Sequence, residues 1–296
     1  MTIRRLAVLA GLAVTAVPAL AQTNYDTVQV RIVPVAGNIY MLQGAGGNIG
    51  VSVGDDAAFV VDDQFAPLTP KILAAIRELT PKPVRFVVNT HWHGDHTGGN
   101  ENLGQAGAVI FAHENVRRRM TVEQFMEAMN TRVPPSPHGA LPVVTFSEAL
   151  TFHLNGDSVR AVHVQPAHTD GDSFIQFTRA NVVHMGDLFN SAGLPFVDLS
   201  SGGSIHGVIA AADRVLAMTD ASTKIIPGHG PLADRARLKA YRDMIAALRD
   251  RVRALISAGR TVEQILELNI GAPYAKEFPA NHSRFVRLAH QELSRR

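Results

Sequence analysis

This 296-residue chain contains the histidine-rich segment His91-Trp92-His93-Gly94-Asp95-His96. Three histidines and one aspartate within these six residues could bind a metal ion. His91 and His93 are two positions apart, so their rings point the same way in an extended segment. Gly94 permits a sharp turn that brings Asp95 and His96 to a neighbouring point. Imidazole and carboxylate groups are ligands that zinc, iron and manganese accept, so the stretch predicts a metal site.

Further residues of the same ligand types follow other predicted strands. The segment before the His-rich stretch, Val84–Asn89, is an apolar run that predicts a strand buried on both faces. One loop cannot complete two metal shells, so further ligands are expected at other strand ends. They are His168 after Ser158–Gln165, Asp187 after Asn181–Met185, and His229 after Lys224–Pro227. Each lies in a glycine-containing loop, where the sites of layered α/β proteins gather.

Taken in order, these segments resemble the metallo-β-lactamase superfamily. The matching motifs are HxHxDH at 91–96, HTDGD at 168–172, GD at 186–187 and PGHG at 227–230. The resemblance runs from about Val28 to the helix after His229 and implies an α/β fold. That fold is a four-layer αββα sandwich of two mixed β-sheets with outer helices and a two-metal site along its upper edge. The order of predicted strands and helices, in two similar halves, independently favours such a sandwich.

The resemblance also implies a set of metal ligands, similar to that of glyoxalase II. His91, His93 and His168 would hold the first metal ion, Asp95, His96 and His229 the second, and Asp187 would bridge the two. Asp62, at the end of the predicted strand Ala57–Asp62, resembles an early acidic position that supports a ligand histidine. The expected cofactor is two Zn²⁺ ions, with other divalent metals as alternatives.

Two such ions predict hydrolysis of a small carbonyl substrate. Metals about 3.5–4 Å apart can share a hydroxide that attacks the carbonyl, and the metals also stabilise the oxyanion and the leaving group. Asp95 is the candidate catalytic residue, because it could orient that nucleophile and carry a proton. The expected substrates are β-lactams first, and esters, lactones or thioesters as the alternative. A mononuclear iron enzyme that oxidises persulfides and a zinc-binding protein without activity remain open.

Three more side chains near the predicted site are candidate substrate contacts, namely His184, His206 and Trp92. The remaining histidines have no motif around them, and we expect packing or surface roles for them: His113, His138, His153, His163, His282 and His290. We expect Asp63, Asp170 and Asp172 to shape loops rather than to act as catalytic acids.

The N-terminus has the pattern of a secretory signal peptide. Arg4 and Arg5 precede a 12-residue apolar run, Leu6–Val17, and the small-residue pattern Ala19-Leu20-Ala21 follows. Twelve apolar residues are too few to span about 30 Å of hydrocarbon, so no stable membrane anchor is expected. We therefore expect cleavage near Ala21-Gln22, a periplasmic or secreted protein, and a single domain over residues 22–296.

Composition narrows the function classes further. The chain has no cysteine, which excludes disulfides, cysteine nucleophiles and cysteine-bound zinc. The formal net charge is +2, and removal of the two leader arginines leaves it at zero. A neutral surface offers no general field for phosphate groups, so no nucleic-acid partner is expected. The sequence does not indicate an oligomeric state.

The hydrophobic pattern predicts the main elements of the second half of the chain. Glu114–Asn130 is predicted to be helical, and a proline-rich loop, Pro134–Pro142, follows and could influence specificity. Ser204–Met218 and Asp234–Ala258 are predicted helices, the second with apolar residues at three- and four-residue spacing. Asn155-Gly156 predicts a tight hairpin turn.

Overall fold

The computed structural model describes residues 24–295, and the predicted signal peptide lies outside them. The strands of the described residues are β1 (Arg31–Ala36), β2 (Ile39–Gln43), β3 (Ile49–Ser52), β4 (Ala58–Val61), β5 (Val84–Val88), β6 (Val109–His113), β7 (Gln124–Met126), β8 (Thr131–Val133), β9 (Val144–Phe146), β10 (Ala149–Leu154), β11 (Asp157–His163), β12 (Ser173–Phe177), β13 (Val182–His184), β14 (Lys224–Ile226) and β15 (Ala233–Asp234). The α-helices are α1 (Thr69–Leu79), α2 (Gly94–Thr97), α3 (Asn100–Gln105), α4 (Glu114–Met120), α5 (Ile205–Met218), α6 (Arg235–Ser257), α7 (Val262–Glu267) and α8 (His282–Ser294).

The strands form two mixed sheets and one separate hairpin. The first sheet has seven strands in the order β1-β2-β3-β4-β5-β6-β9, and the second has six in the order β10 to β15. In the first sheet, β1 to β4 pair antiparallel, while β4, β5, β6 and β9 pair parallel. In the second, β13 and β14 pair parallel and their neighbours pair antiparallel. β7 and β8 pair only with each other.

Alternating side chains place the two sheets face to face with helices outside. Along β4, Phe59 and Val61 belong to the core between the sheets, whereas Ala58 and Val60 pack towards α1. In the second sheet, residues such as Ile225 face α5, α6 and α8. Side chains of successive strand residues point to opposite faces, so each sheet is buried on both sides. The predicted four-layer αββα sandwich is confirmed.

The helix predicted over Glu114–Asn130 is wrong beyond its first two turns. Helix α4 ends at Met120, and β7 and β8 form a hairpin instead. The Gln124 side-chain amide donates to the Arg119 carbonyl oxygen over 3.0 Å. In a continuing α-helix, that carbonyl would instead accept from the backbone amide four residues later. Asn130 has a left-handed backbone, with φ of 48°, which an interior helical residue does not adopt. Tertiary contacts therefore override the local pattern here.

Other elements differ from the sequence predictions only at their boundaries or were not predicted. The first strand begins at Arg31 instead of Val28, and β6 and β9 had no predicted counterpart. The long helix α6 buries the predicted apolar positions, including Leu238 and Leu255. Across residues 24–295, no helix is both long enough and apolar enough to cross a membrane.

Candidate metal centre

The His-rich loop is held at the end of the first sheet by Asp62. β4 and β5 run parallel in register, so Asp62 follows β4 beside the point where the chain leaves β5. Its carboxylate accepts from the Thr90 backbone amide over 2.7 Å and from the Thr90 hydroxyl over 2.8 Å. It also contacts His96 Nδ1 over 2.7 Å. The Asp62 carboxylate therefore contacts both the loop and the ring of one candidate ligand.

His91, His93 and His168 form a first group of candidate ligands. One ring nitrogen of each lies within 4.8 Å of the others, and all three residues are buried. His93 Nδ1 and His168 Nε2 face each other at 2.8 Å. The other ring nitrogen of each of these two histidines has a partner elsewhere. His93 Nε2 lies 3.1 Å from Asp198 Oδ2, and His168 Nδ1 lies 2.6 Å from the Phe196 carbonyl oxygen. These contacts leave one nitrogen of each ring facing the same point.

Asp95, His96 and His229 form a second group, and Asp187 lies between the two groups. The ligand atoms of the second group are again within 4.8 Å of one another. Asp187 Oδ1 lies 3.1 Å from His96 Nε2 and 3.2 Å from His229 Nε2, whereas its Oδ2 lies 3.5 Å from His168 Nε2. One oxygen of Asp187 therefore faces each group, as a bridging carboxylate requires.

The loops that carry Asp187 and His229 meet because β13 and β14 are parallel neighbours. The Gly228 backbone amide donates to the Gly186 carbonyl oxygen over 2.7 Å, which holds the two strand ends together. All seven candidate ligands are thus brought to one edge of the sandwich by strand ends from both sheets. The candidates named from the sequence therefore lie together, and their binding of metal stays a prediction.

The chemistry of these groups fits divalent cations. His91 Nε2 is buried and has no hydrogen-bond partner among the described residues, an arrangement that is costly unless something binds there. Burial lowers the pKa of His91 well below its usual value and that of His168 to about 4. Both rings are therefore neutral at pH 7, as metal binding needs. Nitrogen and carboxylate ligands of this kind suit zinc, iron or manganese.

Charge within the second group favours ionised carboxylates. Burial opposes ionisation of Asp95, but the neighbouring His96 and His229 outweigh burial and lower the Asp95 pKa to about 2. The Asp187 carboxylate in turn raises the pKa of His229 to about 10. With a pKa of about 10, the His229 ring is protonated at pH 7 when no metal is bound, so binding of a cation by this group would release a proton.

Asp198 is a functional candidate that sequence reasoning missed. Besides the contact with His93, its carboxylate accepts from the Ser201 hydroxyl over 2.5 Å, and Ser201 Oγ accepts from Trp92 Nε1 over 3.2 Å. Burial opposes ionisation of Asp198, but hydrogen bonds from His93, Ser200 and Ser201 outweigh it and lower its pKa. The sequence Asp198-Leu199-Ser200-Ser201 is typical of a turn in which the aspartate accepts from the following residues. Nothing in it indicates a contact with a histidine about a hundred residues earlier.

We expect Asp198→Asn to weaken metal binding and activity by roughly 10- to 100-fold, because carboxylates that orient ligand histidines contribute that much. The measurement is metal affinity by competition with a chromophoric chelator. The matched control is Asp220→Asn, because Asp220 caps a similar turn through Ser222 and Thr223 far from the metal groups. Equal metal affinities for the two variants would show that Asp198 does not support metal binding.

A pocket of about 550 Å³ opens beside the candidate ligands. His93, Asp95, Asp187 and His229 lie in its wall. Its apolar lining residues are Phe65, Met126, Met129, Ala192, Pro195 and Phe196. Its other polar lining residues are Asn190, Asn281 and Arg284. The pocket therefore offers a substrate both a reactive edge and an apolar surface.

The three candidate substrate contacts from the sequence do not line this pocket. His184 is fully buried, with Nε2 3.0 Å from the Asn48 carbonyl oxygen. Trp92 is buried behind His93 and bonds to Ser201. His206 lies on α5, 3.4 Å from Glu292 and 3.0 Å from Arg253. Packing and hydrogen bonding account for all three side chains.

Several of the histidines and aspartates expected to be structural have such contacts. His113 and His163 stack with ring centroids 3.6 Å apart. Asp63 accepts from the Gly99 backbone amide, and Asp172 accepts from Thr169. Asp170 pairs with Arg119 over 2.6 Å. The proline-rich loop Pro134–Pro142 contributes no residue to the pocket lining, which instead includes Met126 and Met129 around the hairpin.

Comparisons with known proteins identify the family of this chain and its fold. A family model described as the metallo-beta-lactamase superfamily matches residues 33–254. A linear primary-alkylsulfatase of Pseudomonas sp. is 23% identical over 269 residues, which cover 75% of this chain and 50% of that protein. The chain spans about half the length of the first two curated relatives it matches.

Two solved structures share the fold. An inverting sec-alkylsulfatase from Pseudomonas sp. aligns with a TM-score of 0.69 and 18% identity, over 89% of this chain and 50% of that one. A metallo-beta-lactamase from Pontibacter korlensis aligns with a TM-score of 0.61 and 18% identity, over 74% of this chain and 99% of that one. At these identities the structures support the fold alone.

Proposed function

This chain belongs to the metallo-β-lactamase superfamily, and from that premise we propose that it is a dinuclear zinc hydrolase acting on a small carbonyl substrate. The observation that carries the proposal is the position of Asp187. Its two oxygens face different groups of ligands, at 3.1 Å from His96 Nε2 and 3.5 Å from His168 Nε2. A single-metal site needs no carboxylate between two sets of imidazoles, so this arrangement favours two metal ions.

The seven ligand residues would divide between the ions as the family resemblance implies. His91, His93 and His168 would bind one ion, and Asp95, His96 and His229 the other. When bound, two divalent cations supply Lewis-acid chemistry that activates a water molecule and stabilises the charge developing on the carbonyl oxygen.

The protein's own contribution is orientation and proton handling. Asp95 lies in the pocket wall, and its low pKa keeps the carboxylate ionised at neutral pH. An ionised carboxylate there can accept a hydrogen bond from the attacking water and hold it in line with the substrate. Asp62 and Asp198 keep His96 and His93 in fixed orientations, which preserves the site between turnovers.

Among carbonyl substrates, we propose a β-lactam first. The metallo-beta-lactamase of Pontibacter korlensis shares the fold over nearly its whole length, and the predicted export would bring the enzyme to β-lactam antibiotics. Esters, lactones and thioesters are the alternative within the same mechanism. Hydrolysis of a sulfate ester is a second candidate, because an alkylsulfatase matches 75% of this chain.

The test is metal analysis of the mature protein followed by a hydrolysis assay with a chromogenic cephalosporin. We expect two zinc ions per chain and turnover that a chelator abolishes and added zinc restores. Two zinc ions without cephalosporin turnover would indicate esters, thioesters or sulfate esters as the substrate class, and these would be assayed in the same way. A single iron would favour the persulfide-oxidising alternative, and a protein that binds no metal would overturn the proposal.

Export is a separate proposal. The n-region arginines, the apolar run and the small-residue site lie within residues 1–21. Expression in a Gram-negative host, fractionation and N-terminal sequencing should give a periplasmic protein that begins at Gln22. A cytoplasmic protein that retains Arg4 and Arg5 would contradict it.

A further inference from the structure

One cationic side chain in the pocket wall has no role in the chemistry described so far. Apart from histidines, Arg284 is the only basic residue among residues 24–295 that lines the pocket. We propose that Arg284 binds a carboxylate carried by the substrate, next to the carbonyl that is hydrolysed. This rests on the proposed hydrolase function and narrows its substrate to an anionic molecule.

The backbone that carries Arg284 is fixed to the pocket. Arg284 lies in the first turn of α8, and the next residue, Phe285, is fully buried. Asn281, at the start of α8, donates from its side-chain amide to the Leu194 carbonyl oxygen over 3.3 Å, and the Leu194 amide donates to Ala280 over 3.1 Å. The segment that contains Leu194 also supplies Pro195 and Phe196 to the pocket. The helix start and the pocket wall are therefore one connected unit.

Phe196 links Arg284 to the metal ligands. The Arg284 guanidinium carbon lies 5.6 Å from the centre of the Phe196 ring. The centre of the same ring is 5.9 Å from that of His168 and 6.1 Å from that of His93. The guanidinium is therefore separated from the first group of metal ligands by a single phenyl ring. Arg284, Phe196 and His93 all line the same pocket.

Arg284 has no acidic partner within salt-bridge distance among the described residues, in contrast to other arginines nearby. Arg287, on the same helix, lies 3.7 Å from Glu263, and Arg237 lies 3.2 Å from Glu277. The guanidinium presents a planar set of donors that matches a carboxylate in a two-bond geometry. A substrate carboxylate would supply the partner that the protein does not.

The rest of the wall indicates what else the substrate carries. Phe65, Met126 and Met129 provide apolar surface beside the reactive edge. Methionine side chains are flexible and adapt to irregular apolar groups. We therefore infer a substrate with three parts: a carbonyl at the metal ligands, a carboxylate at Arg284 and an apolar substituent against the methionines.

The first test compares a chromogenic cephalosporin with its carboxylate methyl ester, using the zinc-loaded wild type, Arg284→Gln and Arg287→Gln. For the free acid we expect Arg284→Gln to raise KM by about 10- to 100-fold with little change in kcat, as loss of a charged hydrogen bond predicts. For the methyl ester we expect no difference between the variants. Arg287→Gln should match the wild type, because Arg287 lies on the same helix but not in the pocket wall. Equal effects on both substrates, or none, would overturn the role of Arg284.

The second test does not depend on turnover, so it separates this inference from the proposed hydrolysis. Calorimetry measures binding of adipate, with two carboxylates, and hexanoate, with one, to the same zinc-loaded proteins. We expect Arg284→Gln to weaken adipate binding by about 10-fold and to leave hexanoate binding unchanged. Unchanged adipate binding would refute the carboxylate site even if hydrolysis is found. The expected pattern without any hydrolysis would support Arg284 and count against the proposed function.

Discussion

Replacement of Asp187 with alanine is expected to remove bound metal and reduce turnover by more than about 100-fold, beyond the effect of losing a group that only orients a ligand. Asp187 is the residue on which both groups of imidazoles converge, with Oδ1 near His96 and His229 and Oδ2 near His168. Alanine would leave those nitrogens facing one another with no negative charge between them. The measurement is metal per chain by elemental analysis, together with turnover of the best substrate.

The fold should survive this change, because Asp187 lies in a loop and the cores on either side of the sheets do not depend on it. Circular dichroism should therefore match that of the wild type. His93→Ala should also lose metal and nearly all activity, since it removes a ligand from the first group. The control is His290→Ala, which changes a histidine on α8 outside the pocket lining and should leave turnover unchanged. Wild-type metal content and turnover in Asp187→Ala would show that the ligand assignment is wrong.

The fold and the convergence of the candidate ligands could be predicted because both depend on local signals. The apolar run Val84–Asn89 predicts a strand buried on both faces, and Val87 and Val88 do belong to different cores. His168, Asp187 and His229 were found because each follows a strand, and strand ends of packed sheets meet at one edge. Their assignment to particular metal ions remains a prediction.

The parts that the sequence did not reveal depend on contacts between distant residues. The hairpin β7–β8 replaces a predicted helix because Gln124 caps the Arg119 carbonyl and Asn130 turns the chain, which no helical periodicity reports. Asp198 reaches His93 across 105 positions of sequence. In the sequence, Arg284 is an ordinary basic residue of an amphipathic helix. Only its position in the pocket wall distinguishes it from the other arginines of that helix. The side chains around the candidate ligands were therefore harder to predict than the fold.

Gly228→Ala is expected to disrupt the metal centre almost as strongly as loss of Asp187, although it removes no ligand. A Cβ at residue 228 would overlap Asp187 Oδ1 and lie 2.6 Å from the Gly186 carbonyl oxygen, which is backbone and cannot rotate away. The two loops would have to separate, which would lengthen the bond from the Gly228 amide to Gly186 and move Asp187 and His229 apart. We expect loss of at least one metal ion and about 1–3 kcal/mol of stability, as overpacking of a tight contact costs.

The stability of Gly228→Ala is measured by chemical denaturation, and its metal content is measured as for Asp187→Ala. The matched control is Gly139→Ala, because a Cβ there would lie 3.5 Å from the nearest Glu101 atom, an ordinary contact. Alanine at position 139 should therefore change neither quantity. If Gly228→Ala kept two metal ions and wild-type stability, the close approach of the β13 and β14 loops would not be needed to hold Asp187 between the two groups. Loss of stability with full metal content would assign Gly228 to packing alone. Loss of both together is the result expected if one backbone contact sets the spacing of the whole centre.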